Sequence, residues 1–168
     1  MGQLKEFSCF KKWLFFSKVE ILLPKLQASG MSKMHGRGHS LRVERLGLHL
    51  AKETKADEKI LKLFASLHDT ERKTDGKDKQ HGKRAADVLL KKKHKYSFLS
   101  AKQFATLVYA IRFHNDGKIS RDPTIGTCWD ADRLELYRFA MDVNPAYLST
   151  KAAKKITDEQ YTELVRGL

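Results

Sequence analysis

Four histidines and three aspartates lie at predicted helix ends or beside predicted apolar helix faces. They are His39, His68, Asp69, His81, His114, Asp130 and Asp132. The pair His68-Asp69 ends the apolar run 61–67, and at a helix end the backbone can turn so that two adjacent side chains reach one point. A buried imidazole and carboxylate need a compensating partner, usually a divalent cation. Histidine and carboxylate ligands together suit Mn, Fe, Ni, Co or Zn better than calcium.

The residue types alone leave a second interpretation open. A histidine on an apolar face often bonds a backbone carbonyl within the core, and for His81 or His114 taken singly this interpretation is favoured. Four ligands of these types are enough to hold one ion, and two further histidines can hold a second ion about 3.5–4 Å away.

The elements that must position these residues are predicted to be helices. Three prolines and ten glycines in a chain of 168 residues, together with long periodic apolar stretches, favour an all-α fold. Residues 70–80 and a segment through Pro123 and Gly126 are predicted loops. Predicted helices run from His39 to Thr54, from an Asp57 cap to His68-Asp69, from His81, from the Ser100–Gln103 capping box to His114, from Cys128, and from the Thr157–Gln160 capping box.

The chain is strongly basic, with 33 Lys and Arg against 20 Asp and Glu and a formal net charge of +13. This excess favours anionic partners such as nucleotides, other phosphoesters or nucleic acid. The lysines are spread along the chain, so a solvated lysine surface is the alternative interpretation. Two cysteines suit a reducing cytoplasm. Residues 10–24 are too short and too charged to span a bilayer, so we expect a cytoplasmic protein without a membrane partner.

The order His, His-Asp, Asp over these helices resembles the HD-domain superfamily of metal-dependent phosphohydrolases, in particular small stand-alone bacterial members. The segment 35–43 resembles the opening helix of the family, in which the second histidine is a ligand, and 64–69 contains the signature pair. The segment 81–86 resembles the helix start that carries an extra histidine in two-metal members. Asp130-Ala-Asp132 resembles the closing motif, whose second aspartate is the ligand. The resemblance covers roughly residues 31–142.

This resemblance implies a role for each candidate residue. His39, His68, Asp69 and Asp132 would hold a divalent ion (Mn, Fe, Ni, Co, Zn or Mg), and His81 and His114 would hold a second ion bridged by Asp69. Arg72 and Arg133 are the first candidates for contacting a substrate phosphate, followed by Arg42 and Lys83, since a phosphoester transition state needs fixed positive charge. Asp130 is expected to orient a ligand histidine.

The resemblance also implies a single-domain helical HD fold and a hydrolytic function. Residues 31–142 would form the HD domain, 1–30 a helical extension packed on it, and 143–168 a turn and helix that complete it. We expect a phosphohydrolase in which an activated water attacks phosphorus in a nucleotide or similar small molecule. The alternative is a non-catalytic, metal-containing module that binds nucleotides or nucleic acid. The absence of a concentrated basic stripe with interleaved aromatic residues argues against that alternative.

Overall fold

The computed structural model describes residues 35–168, and within this range the regular structure consists of helices without a strand. The all-α prediction is confirmed. The predicted N-terminal extension 1–30 lies outside the described residues. The α-helices are α1 (Arg37–Thr54), α2 (Glu58–Leu67), α3 (His81–Lys91), α4 (Ala101–Phe113), α5 (Pro123–Leu134) and α6 (Asp158–Val165). Short 3₁₀ helices span Lys93–Tyr96, Glu135–Phe139, Pro145–Tyr147 and Ala153–Lys155.

The helix starts follow the capping signals in the sequence. The Asp57 side chain accepts from the backbone N–H groups of Lys59 and Ile60 at the start of α2. Both predicted capping boxes are present, at Ser100 for α4 and at Thr157 for α6. A helix leaves its first N–H groups without intrahelical partners, and these side chains supply the missing acceptors.

Helix α5 begins earlier than the sequence analysis predicted. The expected loop through Pro123 and Gly126 is wrong, because the Asp122 side chain accepts from Thr124 N and Ile125 N, each at 2.9 Å, and Pro123 occupies the first turn. Proline is well tolerated there, since its missing N–H would have had no helical partner. The earlier start places Cys128 in the middle of α5, where it is fully buried.

Helix α2 lies at the centre of the core and packs against α1, α4 and α5. The side chains of Leu46, Phe64, Leu107 and Trp129 are all buried to 1 % exposure or less. The Trp129 indole N–H donates to Ala110 O at the end of α4, so this ring is a core residue. Among residues 35–168, no helix combines the length and apolarity needed to cross a membrane.

The C-terminal segment is fastened to α5 by Asp130. The Asp130 carboxylate accepts from Ser149 N at 2.6 Å and from both the N–H and the hydroxyl of Thr150 at 2.8 Å. Farther along, the Arg45 guanidinium of α1 donates to the carbonyls of Leu164 and Arg166. Residues 143–168 are therefore held against two helices of the core.

Two buried glycines make a matched stability test. A Cβ atom on Gly82 in α3 would lie 2.7 Å from Ile111 O and 3.0 Å from the His114 ring, whereas one on Gly47 in α1 would meet nothing closer than 3.5 Å. We expect Gly82→Ala to lower the free energy of unfolding by about 1–3 kcal/mol, because α3 and α4 must separate.

Gly47→Ala is the control, and we expect it to leave stability unchanged or to raise it by up to about 1 kcal/mol through helix propensity. Urea denaturation followed by circular dichroism measures both variants. Equal effects of the two substitutions would contradict the close α3–α4 packing.

Candidate metal centre

The structure brings together all six residues predicted to ligate metal, and each one comes from a helix end or a helix face that the core positions. His39 lies in the first turn of α1, and His68 caps α2 and is followed by Asp69. His81 opens α3, His114 caps α4, and Asp132 lies near the end of α5. The four histidines and Asp69 are buried, and Asp132 is partly exposed to a cavity.

The first cluster consists of His39, His68, Asp69 and Asp132. The Nε2 atoms of His39 and His68 are 3.0 Å apart. Asp132 Oδ1 lies 3.4 Å from each of these nitrogens. Asp69 Oδ2 lies 3.7 Å from His39 Nε2 and 3.6 Å from His68 Nε2. Two imidazole nitrogens and two carboxylate oxygens thus surround one small space.

The second cluster shares Asp69 with the first. The Nε2 atoms of His81 and His114 are 2.7 Å apart. Asp69 Oδ1, the other oxygen of the carboxylate, lies 3.0 Å from His81 Nε2 and 3.5 Å from His114 Nε2. Asp69 therefore presents one oxygen to each cluster, and it would be shared between two ions if each cluster held one.

Backbone carbonyls determine which nitrogen of three histidines carries hydrogen. His68 Nδ1 lies 3.0 Å from Phe64 O, His81 Nδ1 lies 2.5 Å from Asp78 O, and His114 Nδ1 lies 2.8 Å from Ile111 O. A carbonyl oxygen only accepts, so the Nδ1 atoms donate and, in the neutral rings, the Nε2 atoms carry lone pairs. The lone pairs of His81 and His114 then face each other across 2.7 Å.

This donor set fits a divalent cation. Two lone pairs at such a distance repel unless a proton or a cation lies between them. Ligand atoms that bind one ion with bonds of about 2.1 Å lie about 3.0–3.4 Å apart at ordinary coordination angles, and three distances in the first cluster fall in this range. Asp69 Oδ1 is also buried without a hydrogen-bond donor among residues 35–168.

The carboxylates shift the pKa values of the first cluster. Burial lowers the pKa of His39, but hydrogen bonds to Asp132 and Glu135 outweigh it and raise that pKa to about 9. Burial likewise opposes charge on His68, while Asp69 and Asp132 raise its pKa. Burial would raise the pKa of Asp69, yet the charge of the neighbouring His68 holds it far below its usual range. Asp69 is therefore ionised at neutral pH and available as a ligand.

The carboxylate that bonds a histidine of the first cluster is Glu135, and the prediction of Asp130 for this role is wrong. Glu135 Oε2 lies 3.0 Å from His39 Nδ1 and fixes its ring, whereas Asp130 bonds Ser149 and Thr150. Glu135 was not among the predicted site residues, although it follows Asp132 by three residues and so shares its helical face. Metal-binding histidines usually bond such a carboxylate through their second nitrogen.

The predicted phosphate-binding cations divide into two groups. Arg72 and Arg133 line a cavity of about 400 Å³ beside the two clusters. Arg133 Nη2 is buried and has no hydrogen-bond partner among the described residues, while Nη1 donates to Tyr147 O. Arg42 is instead bound to Glu135 through its Nε at 2.9 Å, and Lys83 is exposed and does not line the cavity. Arg138, which was not predicted, is also part of the cavity wall.

A comparison of the chain with models of known protein families identifies its family. The model of the HD domain family matches residues 36–156, which is most of the chain, and the protein belongs to that family. The HD domain defines a superfamily of metal-dependent phosphohydrolases whose members bind divalent metals. No curated protein and no solved structure matches the chain.

Metal binding should release a proton. At pH 7 the metal-free protein keeps a proton on His39, whose pKa is about 9, and a bound cation must displace it. We expect the apparent affinity for Mn²⁺ to rise with pH up to about 9, by roughly tenfold per pH unit, and then to level off. Titration calorimetry in buffers with different ionisation enthalpies measures the proton release.

The free energy of unfolding of the metal-free protein should fall over the pH range in which the metal affinity rises. A raised folded-state pKa contributes stability that is complete below the unfolded value of 6.5 and is lost as the pH rises through about 9.

Metal binding that releases no proton at pH 7, or an affinity that is independent of pH, would contradict the protonated state of His39.

Proposed function

We propose that the protein is a divalent-metal-dependent phosphohydrolase that acts on a phosphomonoester or phosphodiester of a nucleotide or a similar small molecule. The observation that carries this proposal is the pair of histidine clusters around Asp69, which opens into a cavity lined by arginines. Membership in the HD domain family supports the reaction class.

His39, His68, Asp69 and Asp132 would hold the first ion. A divalent ion bound among such ligands lowers the pKa of a coordinated water towards neutrality and polarises a phosphoryl oxygen. Asp69 supplies a fixed negative charge at the centre of the site, and Glu135 holds the His39 ring in the orientation that its Nε2 needs. Arg72 and Arg133, on the cavity wall, would bind the substrate phosphate and stabilise the charge that develops on it.

We further propose a second ion, held by His81, His114 and Asp69. The support is that Asp69 Oδ1, His81 Nε2 and His114 Nε2 converge while Asp69 Oδ2 faces the other cluster. The fixed Nδ1 donors of His81 and His114 leave their Nε2 atoms as ligands rather than donors.

The cavity suits a small phosphorylated molecule. A volume of about 400 Å³ lies at the lower end of the range for small-molecule sites. Arg72, Arg133 and Arg138 lie on its wall together with Leu136 and Phe139, which are 37 % and 45 % exposed. The cations match a phosphate group, and the apolar side chains match a less polar part of the same substrate. A nucleotide combines both features.

Hydrolysis should depend on the first cluster. We expect the purified protein with Mn²⁺, Co²⁺, Ni²⁺ or Mg²⁺ to hydrolyse at least one member of a panel of phosphomonoesters, nucleotides and phosphodiesters. His68→Ala/Asp69→Ala should abolish this turnover, because it removes two ligands of the first ion. Phosphate release measures the activity.

The matched control is His94→Ala/Asp142→Ala, which changes the same residue types at exposed positions and should retain activity. Metal bound without turnover on any substrate would favour the non-catalytic binding module instead. Failure to bind any divalent metal would overturn both functions.

The second ion makes a stoichiometric prediction. We expect about two equivalents of Mn²⁺ per wild-type chain and about one in His81→Ala/His114→Ala, since these two histidines are two of the three proposed ligands of the second ion. Elemental analysis after gel filtration measures the ratio, and His49→Ala/His94→Ala serves as the histidine control. An unchanged stoichiometry in the His81/His114 variant would remove the second site.

A further inference from the structure

We propose that Tyr161 of helix α6 is a positioning residue for the metal centre, and that it acts on His39 through Glu135. This inference rests on the metal site of the proposed function. It assigns a role to a residue beyond position 156, where the match to the HD family ends. The C-terminal helix would then be part of the site and not only an appendage that covers the core.

Glu135 is the centre of a buried network. Glu135 is 3 % exposed. It lies at the start of a 3₁₀ helix and bonds residues of α1 and α6. Oε2 lies 3.0 Å from His39 Nδ1. Oε1 accepts from Arg42 Nε at 2.9 Å and from the Tyr161 hydroxyl at 2.7 Å. Both oxygens of this buried side chain therefore have hydrogen-bond partners.

The two oxygens of Glu135 bond different partners, and together they orient the His39 ring. A carboxylate is rigid and planar, so two donors that hold Oε1 also determine where Oε2 lies. Oε2 in turn holds His39 Nδ1 and so determines the direction in which the opposite ring nitrogen, Nε2, points. His39 Nε2 lies 3.0 Å from His68 Nε2 and 3.4 Å from Asp132 Oδ1 in the first cluster. The Tyr161 hydroxyl therefore acts on the cluster at a distance of two hydrogen bonds.

Tyr161 is itself firmly placed. It is 3 % exposed, and its ring lies 5.8 Å from that of Tyr137. Helix α6 begins with the Thr157 capping box. Near its end, Arg45 of α1 donates to Leu164 O and Arg166 O, so the helix is bonded to the same element that carries His39. The hydroxyl is thus presented to Glu135 by a capped helix whose C-terminal end is bonded to α1.

The test is Tyr161→Phe, which removes one oxygen and keeps the buried ring. Orienting carboxylates and their partners typically change metal affinity by about 10–100-fold when lost. Because Arg42 still holds Oε1 in this variant, we expect a smaller loss, about 3–10-fold in the dissociation constant for Mn²⁺. Glu135→Gln should lose more, since one amide oxygen cannot accept from His39, Arg42 and Tyr161 together.

Tyr137→Phe is the matched control. Tyr137 is the ring neighbour of Tyr161, but its hydroxyl donates to Ile156 O at 3.2 Å and not to Glu135. We expect its dissociation constant to stay within about twofold of wild type, because no bond to the metal-ligand network is lost. Calorimetric titration of each full-length protein with Mn²⁺ gives the affinities, and thermal unfolding of the metal-free proteins confirms that each variant is folded.

The outcomes separate this inference from the proposed function. Weaker Mn²⁺ binding by Tyr161→Phe and Glu135→Gln, with Tyr137→Phe unchanged, would establish the positioning role. If wild type binds Mn²⁺ and His68→Ala/Asp69→Ala does not, the metal site stands. Tyr161→Phe with wild-type affinity would then overturn the inference alone, as would an equal loss in Tyr137→Phe. A wild-type protein that binds no divalent metal would overturn both.

Discussion

The structure depends on the electrostatic demand of Asp69, a buried carboxylate between two pairs of imidazole nitrogens. Burying such a charge costs several kcal/mol unless it is paired, and hydrogen bonding must satisfy the remaining lone pairs. In neutral rings the Nε2 atoms of His68, His81 and His114 do not donate, because backbone carbonyls fix their Nδ1 atoms as the donors. A bound cation would resolve this conflict, with Asp69 and the surrounding nitrogens as candidate ligands.

The C-terminal end of α4 shows how a helix end can fix the tautomer of a histidine. The last carbonyls of a helix have no intrahelical N–H partner. In α4 these carbonyls accept from His114 Nδ1 at Ile111 O and from the Trp129 indole at Ala110 O. One hydrogen bond thus completes the helix end and selects the ring tautomer that directs Nε2 into the site. Both α2 and α4 end at the centre, so the negative ends of two helix dipoles favour a cation there.

The residues of both clusters could be selected from the sequence because the order His, His-Asp, Asp resembles the HD family, and because His68, His81 and His114 each lie where a helix begins or ends. The carboxylate predicted to orient a ligand histidine was the wrong one. Asp130 precedes Asp132 by two residues and so points to another face of α5, whereas Glu135 follows by three residues and shares its face. The spacing of residues on a helix was therefore enough to predict Glu135 in place of Asp130. The bond from Tyr161 to Glu135 could not be predicted, since it joins helices whose packing is decided by the whole core. The early start of α5 differs from the predicted loop because a proline is compatible with the first turn of a helix as well as with a break.

The net charge of the chain does not predict which arginines bond the protein itself and which line the cavity. The excess of 13 positive charges predicts attraction of an anion, but several arginines near the site are bound to the protein itself. Arg42 donates to Glu135, and Arg84 donates to Glu71 O within the segment 70–80. Arg72 and Arg133 each donate one nitrogen to a carbonyl, of Gly76 and Tyr147, so that their guanidinium groups are held on the cavity wall. Positive charge fixed in this way needs no reorganisation when a phosphate enters, and such preorganisation is what makes electrostatic stabilisation effective in catalysis. Arg72 and Arg133 combine such a bond with a place on the cavity wall, and for this reason they are the arginines that we propose for substrate binding.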